Sequence, residues 1–386
     1  MQTALRHPDI NKILTDRGLD GSGRDIWTKQ LSEIKPSEVE WALSRKPGYY
    51  VLDRLLILIS PAAENYLEQM AQIAHQLTLQ RFGKTIRLYA PLYLSNFCIN
   101  SCIYCGFNKN HKFPRVRLTI EQALADAEII AAEGFRDLLL VSSEDKKFIT
   151  VDYLIELAGK LREKFSSISV EIYPMEQDDY AKLFKAGIEG VTLYQETYDR
   201  NVYASYHPQG PKTDYDYRLN TLDRAASAGM REIGIGALLG LTDWRLETMA
   251  LAEHAHYLMK RYWKSRVSFS FPRLRPAKDV DEKQFLLISD KNLVQMILAL
   301  RLCFADAGIV LSTRERPELR DNLVRLGVTR MSAGSKTNPG GYSGKTDAVG
   351  QFEVNDNRSP SQIAEMIKSK GLEPVWKDWD RTFTDF

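Results

Sequence analysis

Several things are missing from this sequence, and each absence removes a class of protein. No apolar run approaches the roughly 20 residues that a membrane-spanning helix needs. The opening residues, MQTALRHPDINKIL, lack the unbroken apolar stretch of a signal peptide. Charge of one sign is not in excess: 52 lysines and arginines stand against 50 aspartates and glutamates, a net charge of +2. A basic surface for nucleic acid is therefore not expected. No internal repeat or low-complexity tract is evident. The expectation is a cytoplasmic protein with neither nucleic acid nor membrane among its partners.

Cysteine is scarce as well. Of four in 386 residues, Cys98, Cys102 and Cys105 fall within eight residues, and Cys303 lies about 200 residues away. A secreted disulfide framework would spread them more evenly, so three clustered thiols read as metal ligands. Cys303 sits in the helical pattern LVQMILALRLCFADAG, where a small buried hydrophobe is expected.

What is present is a repeating alternation. Residues 1–85 read as helical, most clearly in SPAAENYLEQMAQIAHQLTLQRFG, with Ser60 as N-cap, Pro61 at the first helical position and Gly83 as the stop. Eight short apolar runs then follow: 86–94, 137–143, 168–174, 190–196, 232–240, 266–272, 308–313 and 328–333. Helix-like stretches such as TIEQALADAEIIAAEG separate most of them. Strand alternating with helix implies a parallel sheet with right-handed crossovers. The fold class is α/β, a (β/α)8 TIM-type barrel, with a six-unit open barrel as the alternative. The expected division is an N-terminal helical extension (1–85), the barrel (86–335) and a C-terminal loop and tail (336–386). Residues 332–352, rich in Gly, Ser and Lys, read as a mobile surface loop or lid. Trp376 and Trp379 are expected to pack the terminus.

The motif Cys98-Ile-Asn-Ser-Cys102-Ile-Tyr-Cys105 directly follows the first expected strand, at the barrel face where active sites are built. Three thiolates on a tight loop bind three irons of a [4Fe–4S] cubane and leave the fourth open to another molecule. A zinc site with His111 as fourth ligand is the rival reading. An electron-transfer module would want four cysteines per cluster.

This C-x3-C-x2-C loop, with an aromatic before its last cysteine, resembles the radical S-adenosylmethionine (SAM) superfamily. The resemblance implies that SAM chelates the open iron and splits to a 5′-deoxyadenosyl radical, so no side chain is expected to carry the bond-breaking step. It implies Glu144, in Ser142-Ser143-Glu144, as acceptor for the methionyl ammonium, although the family usually has glycines there. It implies Gln195 and Glu196 for ribose or substrate, Arg218 for the SAM carboxylate, and Tyr104 and the Gly236 strand near adenine.

Further stretches, among them YQETY, GIGALLGLTDWR, SFPRLRP, LSTRERP and KTNPGGY, closely resemble the 2-iminoacetate synthases, the tyrosine lyases of thiamine biosynthesis. That resemblance implies cleavage of the Cα–Cβ bond of L-tyrosine to p-cresol and 2-iminoacetate, after hydrogen abstraction from the amino group. It implies a one-electron reductant such as flavodoxin or ferredoxin, and a thiazole synthase partner. Arg314 and Ser332 are the expected substrate anchors, with Arg316 and Ser335 as competitors; Arg273 and Arg275 are further candidates for the cavity. Tryptophan lyase and the tyrosine lyase of hydrogenase maturation are the neighbouring alternatives. The second carries later cysteines for another cluster, and none follows Cys303 here.

Overall fold

The apolar runs become strands because each offers one face to helices and the other to a shared interior. In the computed structural model, which describes residues 9–377, eight parallel strands follow in order. They are β1 (Thr85–Ser95), β2 (Asp137–Ser142), β3 (Ser167–Glu171), β4 (Gly190–Glu196), β5 (Glu232–Ala237), β6 (Arg266–Ser270), β7 (Gly308–Leu311) and β8 (Arg330–Ser332). Each pairs with its successor, and β1 pairs with both β8 and β2. The sheet thus closes on itself as an eight-strand barrel and is not the six-unit open form.

The alternation is plain on β3. Ile168 and Val170 join the apolar core beneath the helices, whereas Ser167 accepts a hydrogen bond inside the barrel from Arg87 at 2.9 Å. The helices start where short polar side chains cap them. Thr119, Thr150 and Ser289 accept from first-turn N–H groups of Ile120–Ala132, Val151–Leu161 and Asp290–Cys303. Cys303 is buried in the core, as a small hydrophobe.

At the N-terminal side, helix Leu67–Phe82 begins later than Ser60 suggests. A 3-10 turn, Ala62–Tyr66, precedes it, and Ser60 caps that turn by accepting from the Ala63 N–H at 3.3 Å. Gly83, at φ +66°, ends the helix. The described residues end with helix Pro360–Ser369 and β9 (Glu373–Val375), which pairs with the first residues of β1. Arg87 is paired to both β8 and β9, so β9 must lie on the other edge of β1, below β2. Trp376 packs edge-on against Phe135; Trp379 lies outside the described residues.

The floor of the barrel is ionic. Arg87 bonds Asp137 and Glu232, each at 2.5 Å, and Arg330 bonds Asp137 at 2.6 Å and Glu232 at 3.4 Å. Arg266 adds a third cation to Glu232 at 2.6 Å. Burial opposes the charge on Glu232, but Arg87, Arg330 and Arg266 hold its carboxyl far below the usual range.

Candidate active site

The cysteine loop leaves β1 at the opposite end of the barrel and is tied down along its length. The N–H groups of Ile99, Ser101 and Ile103 donate to the carbonyls of Glu144, Gln209 and Tyr206 at 3.1, 3.2 and 3.2 Å. The Arg115 guanidinium donates to the carbonyls of Asn96, Phe107 and Asn108 at 2.6, 2.9 and 2.6 Å, stapling the loop's two ends. All three thiols border one cavity that, with the solvent-open space at its mouth, encloses about 970 Å³ free of atoms.

Burial pushes the Cys102 thiol up to about 12 and the Cys105 thiol up to about 11. Metal-free, these two groups keep their protons; iron binding releases them. Among the described residues, no three His, Cys, Asp or Glu side chains converge on one ion position. The thiols instead share the border of a wider space, as ligands to three separate irons do. His111 does not join them: its Nδ1 lies 3.2 Å from the Gly106 carbonyl, and it is not part of the cavity wall. The donor set therefore fits a cubane with three protein ligands better than a zinc ion.

Around the same cavity stand residues from successive strand ends. Glu144 follows β2 and accepts from Asn100 Nδ2 at 2.9 Å through one oxygen, leaving the other for a cation. Tyr104 shares its hydroxyl with His207 Nε2 at 2.8 Å and accepts from Lys212 Nζ at 2.9 Å. Arg218 donates through Nε to the Tyr194 carbonyl at 2.8 Å and through Nη2 to Glu196 at 3.4 Å, so its Nη1 is left for the cavity. Burial opposes the charge on Glu196, but Lys212 and Arg218 hold its carboxyl down at about 2. It remains an anionic acceptor.

Two expected residues are placed elsewhere. Gln195 is not in the cavity wall; its amide lies against the Tyr215 carbonyl at 3.5 Å, outside the barrel. The reason is a register shift between Tyr194 and Glu196, with Glu196 at φ +73°, which makes Gln195 the extra residue and turns Glu196 inward. Gly236 does not border the cavity either. A Cβ there would collide with the Ser270 carbonyl and the Tyr194 ring, so the glycine makes room for that ring.

A second cavity, set further down the barrel and with about 470 Å³ of atom-free space including its open part, adjoins the first and shares Val141, Glu171, Tyr194, Pro272, Arg314 and Phe352 with it. Ser332 and Ser335 line it. Ser332 Oγ accepts from the Thr313 N–H at 3.1 Å, and the buried Ser335 Oγ has no hydrogen-bond partner among the described residues. Arg314 stacks on Phe352, its guanidinium carbon 3.3 Å from the ring centroid. Arg316 points away, paired on the surface with Asp290 and Glu318. Arg273 is committed to Glu315 and Asp290. Arg275 reaches the first cavity while pairing with Glu315 at 3.4 Å.

The segment 332–352 is a cavity wall rather than a free surface loop. Tyr342 donates to the Pro91 carbonyl at 2.9 Å, Ser343 N–H to Asp126 at 2.9 Å, and Gln351 accepts from Tyr93 at 2.8 Å. Gln351 and Phe352 thereby face the cysteines and Arg314. Sequence reasoning misses these two, and also Asn100, Lys212, Arg115 and Glu171. The acid at the C-terminal end of a barrel strand is a usable signal for Glu171; the others carry no local signature.

Compared with known proteins, the chain is 44% identical over 370 residues to a 2-iminoacetate synthase of Salmonella typhimurium, covering 96% of this chain and 97% of the relative. The chain belongs to the 2-iminoacetate synthase family. It is likewise 44% identical to the 2-iminoacetate synthase of Escherichia coli, over 89% of this chain and 91% of that one. The radical SAM superfamily model matches residues 92–252, and the Biotin and Thiamin Synthesis associated domain matches residues 270–373. The structure superposes on the FeFe-hydrogenase maturase HydG from Carboxydothermus hydrogenoformans with a TM-score of 0.83 at 34% identity, covering 96% of this chain and 86% of that one. A member of the 2-iminoacetate synthase family is a radical SAM lyase. Among the described residues, no helix is long and apolar enough to cross a membrane.

Proposed function

We propose that this chain cleaves the Cα–Cβ bond of L-tyrosine to p-cresol and 2-iminoacetate, the latter destined for the thiazole of thiamine. The observation that carries this reading is the 44% identity to 2-iminoacetate synthases over nearly the whole of both chains. It is supported by a chamber, adjoining the cysteine cavity, whose lining suits an aromatic amino acid.

In this reading Cys98, Cys102 and Cys105 hold a [4Fe–4S] cluster whose fourth iron is left to SAM. When bound and reduced, the pair supplies one-electron chemistry and a hydrogen-abstracting adenosyl group. The protein's part is to hold, orient and shield. Glu144 takes the methionyl ammonium, the free Nη1 of Arg218 takes the carboxylate, and Glu196 accepts from the ribose hydroxyls. Tyr104, fixed by His207 and Lys212, offers its ring as a wall of the same space.

Arg314 binds the substrate carboxylate. A guanidinium stacked on Phe352 is held in one plane, which prepares its two-pronged donation. Ser332 and Ser335 stand at the same end, and the unpartnered Ser335 Oγ is satisfied by a bound head group. The wall formed by Gln351 and Phe352 limits water, which matters because a free imine hydrolyses readily. For the same reason the product passes to a thiazole synthase partner. The electrons come from a one-electron carrier of the flavodoxin or ferredoxin class.

The test is an anaerobic reaction of the iron-reconstituted protein with SAM, a reductant and tyrosine. The expected products are p-cresol and 5′-deoxyadenosine. Reductive SAM cleavage with no p-cresol would reject tyrosine as the substrate.

A further inference from the structure

Two charged side chains inside the barrel form no ion pair among the described residues. Glu171 is the last residue of β3, and Arg314 lies three residues beyond β7. Both border the cysteine cavity and the deeper chamber, and neither side chain makes an ion pair or hydrogen bond with any described residue. Strands β3 and β7 stand four places apart in a ring of eight, so the two groups face one another across the bore. In the wall of the deeper chamber Glu171 is the sole acid and Arg314 the sole base. Of the other acids nearby, Glu196 has Lys212 and Arg218, Glu315 has Arg273 and Arg275, and Glu144 borders the cysteine cavity but not the deeper chamber. An isolated ionised group in a protein interior is unfavourable unless a ligand compensates it.

Building on the tyrosine reading, we propose that Glu171 receives the substrate's ammonium group, across the bore from the carboxylate bound by Arg314. A zwitterion carries its two charges on one carbon. Once the carboxylate sits on Arg314, the ammonium needs a counter-charge, and the deeper chamber offers one carboxylate. A phenol at Glu171 would be neutral and would leave the ammonium uncompensated. Placement agrees: Glu171 also borders the cysteine cavity. An amine held there lies at the boundary of the two spaces, on the side from which a hydrogen is taken. Burial pushes the Glu171 carboxyl up to about 7, against the pull of Arg314, and a cation brought beside it restores its charge. Glu171 is thus a specificity-determining residue that reads the amine.

The test compares three ligands by calorimetry on the reconstituted, SAM-loaded enzyme without reductant. They are tyrosine, 3-(4-hydroxyphenyl)propionate, which lacks the amine, and phenylalanine, which lacks the hydroxyl. In Glu171→Gln, tyrosine affinity is expected to fall about 30-fold, the size of a charge-assisted contact, while the deaminated acid changes by less than about threefold. The tyrosine-to-phenylalanine ratio stays the same, and Glu171→Asp recovers part of the loss. Iron content and SAM affinity, unchanged in both variants, show an intact site. Collapse of the tyrosine-to-phenylalanine ratio would instead make Glu171 the reader of the phenol and overturn the inference. So would unaltered affinity for all three ligands. A wild-type enzyme that binds none of them would defeat the tyrosine reading itself, a different failure.

Discussion

At the lower end of the barrel, Arg87, Asp137, Glu232 and Arg330 each meet at least two opposite charges. At the upper end, Glu171 and Arg314 face each other across a shared cavity, and among the described residues neither forms an ion pair. The residue types are the same, and so is the strand alternation that points them inward. The difference lies in satisfaction. A closed network ties five of the eight strands together, whereas open valences at the other end are kept for a ligand and cost stability. Between the two lies a belt of small residues, Ser169, Thr192, Gly234 and Ser268, which leaves space where a tighter core would fill it.

If this contrast holds, substitutions at the two ends produce different symptoms. The largest effect is expected from Cys98→Ala, Cys102→Ala or Cys105→Ala, each abolishing iron–sulfur assembly and turnover. Cys303→Ala, in the core, leaves both intact; iron and sulfide analysis decides. Next, Glu232→Ala takes one anionic partner from each of three arginines and is expected to cost about 3–5 kcal/mol in denaturant unfolding, with tyrosine affinity of the surviving fold unchanged. Arg314→Ala reverses the pattern: tyrosine binding weakens about 100-fold while SAM affinity and the melting temperature stay put, because no protein contact other than the Phe352 stack is lost.

The two ends also respond oppositely to pH. Glu232 has a folded-state affinity for protons below its unfolded one, so its contribution is present above about pH 4.3 and disappears as acid rises past that value. Glu171 is shifted the other way, to about 7, so the folded state loses stability as pH climbs from about 4.3 to 7. Glu171→Gln is therefore expected to be more stable than the wild type at pH 8 by on the order of 1–2 kcal/mol, and no more stable at pH 4. Thermal melts across that range check both signs. The smallest effect is predicted for Arg316→Ala, an exposed partner of Asp290, with neither the melting temperature nor the substrate affinity measurably changed.

Features written in short stretches of sequence are legible from the sequence alone. The eight apolar runs are six to nine residues long and their composition announces them, and the cysteine loop packs its three ligands into eight positions. Glu144 and Arg314 can be found because they follow strands, where barrel sites lie; Arg218, on the helix Tyr215–Leu219, is reached through the family resemblance. Gln195 is expected in the cavity and lies outside it, because a bulge interrupts the alternation along β4. Gly236 reads as a ligand contact, yet its neighbour is the Tyr194 ring, arriving from the adjacent strand. Lys212 meets Tyr104 across 108 positions, and Gln351 meets Tyr93 across 258. Such pairings exist only once the barrel has closed. The ionic floor is hidden for the same reason, since its members come from β1, β2, β5, β6 and β8.

The chemistry rests on three thiols that hold a cubane and leave one iron for a chelating cosubstrate. Electron paramagnetic resonance of the reduced, anaerobically reconstituted protein tests this directly. The predicted result is a [4Fe–4S]+ signal whose shape changes when SAM is added. A signal indifferent to SAM, or stoichiometric zinc with no cluster, would contradict it.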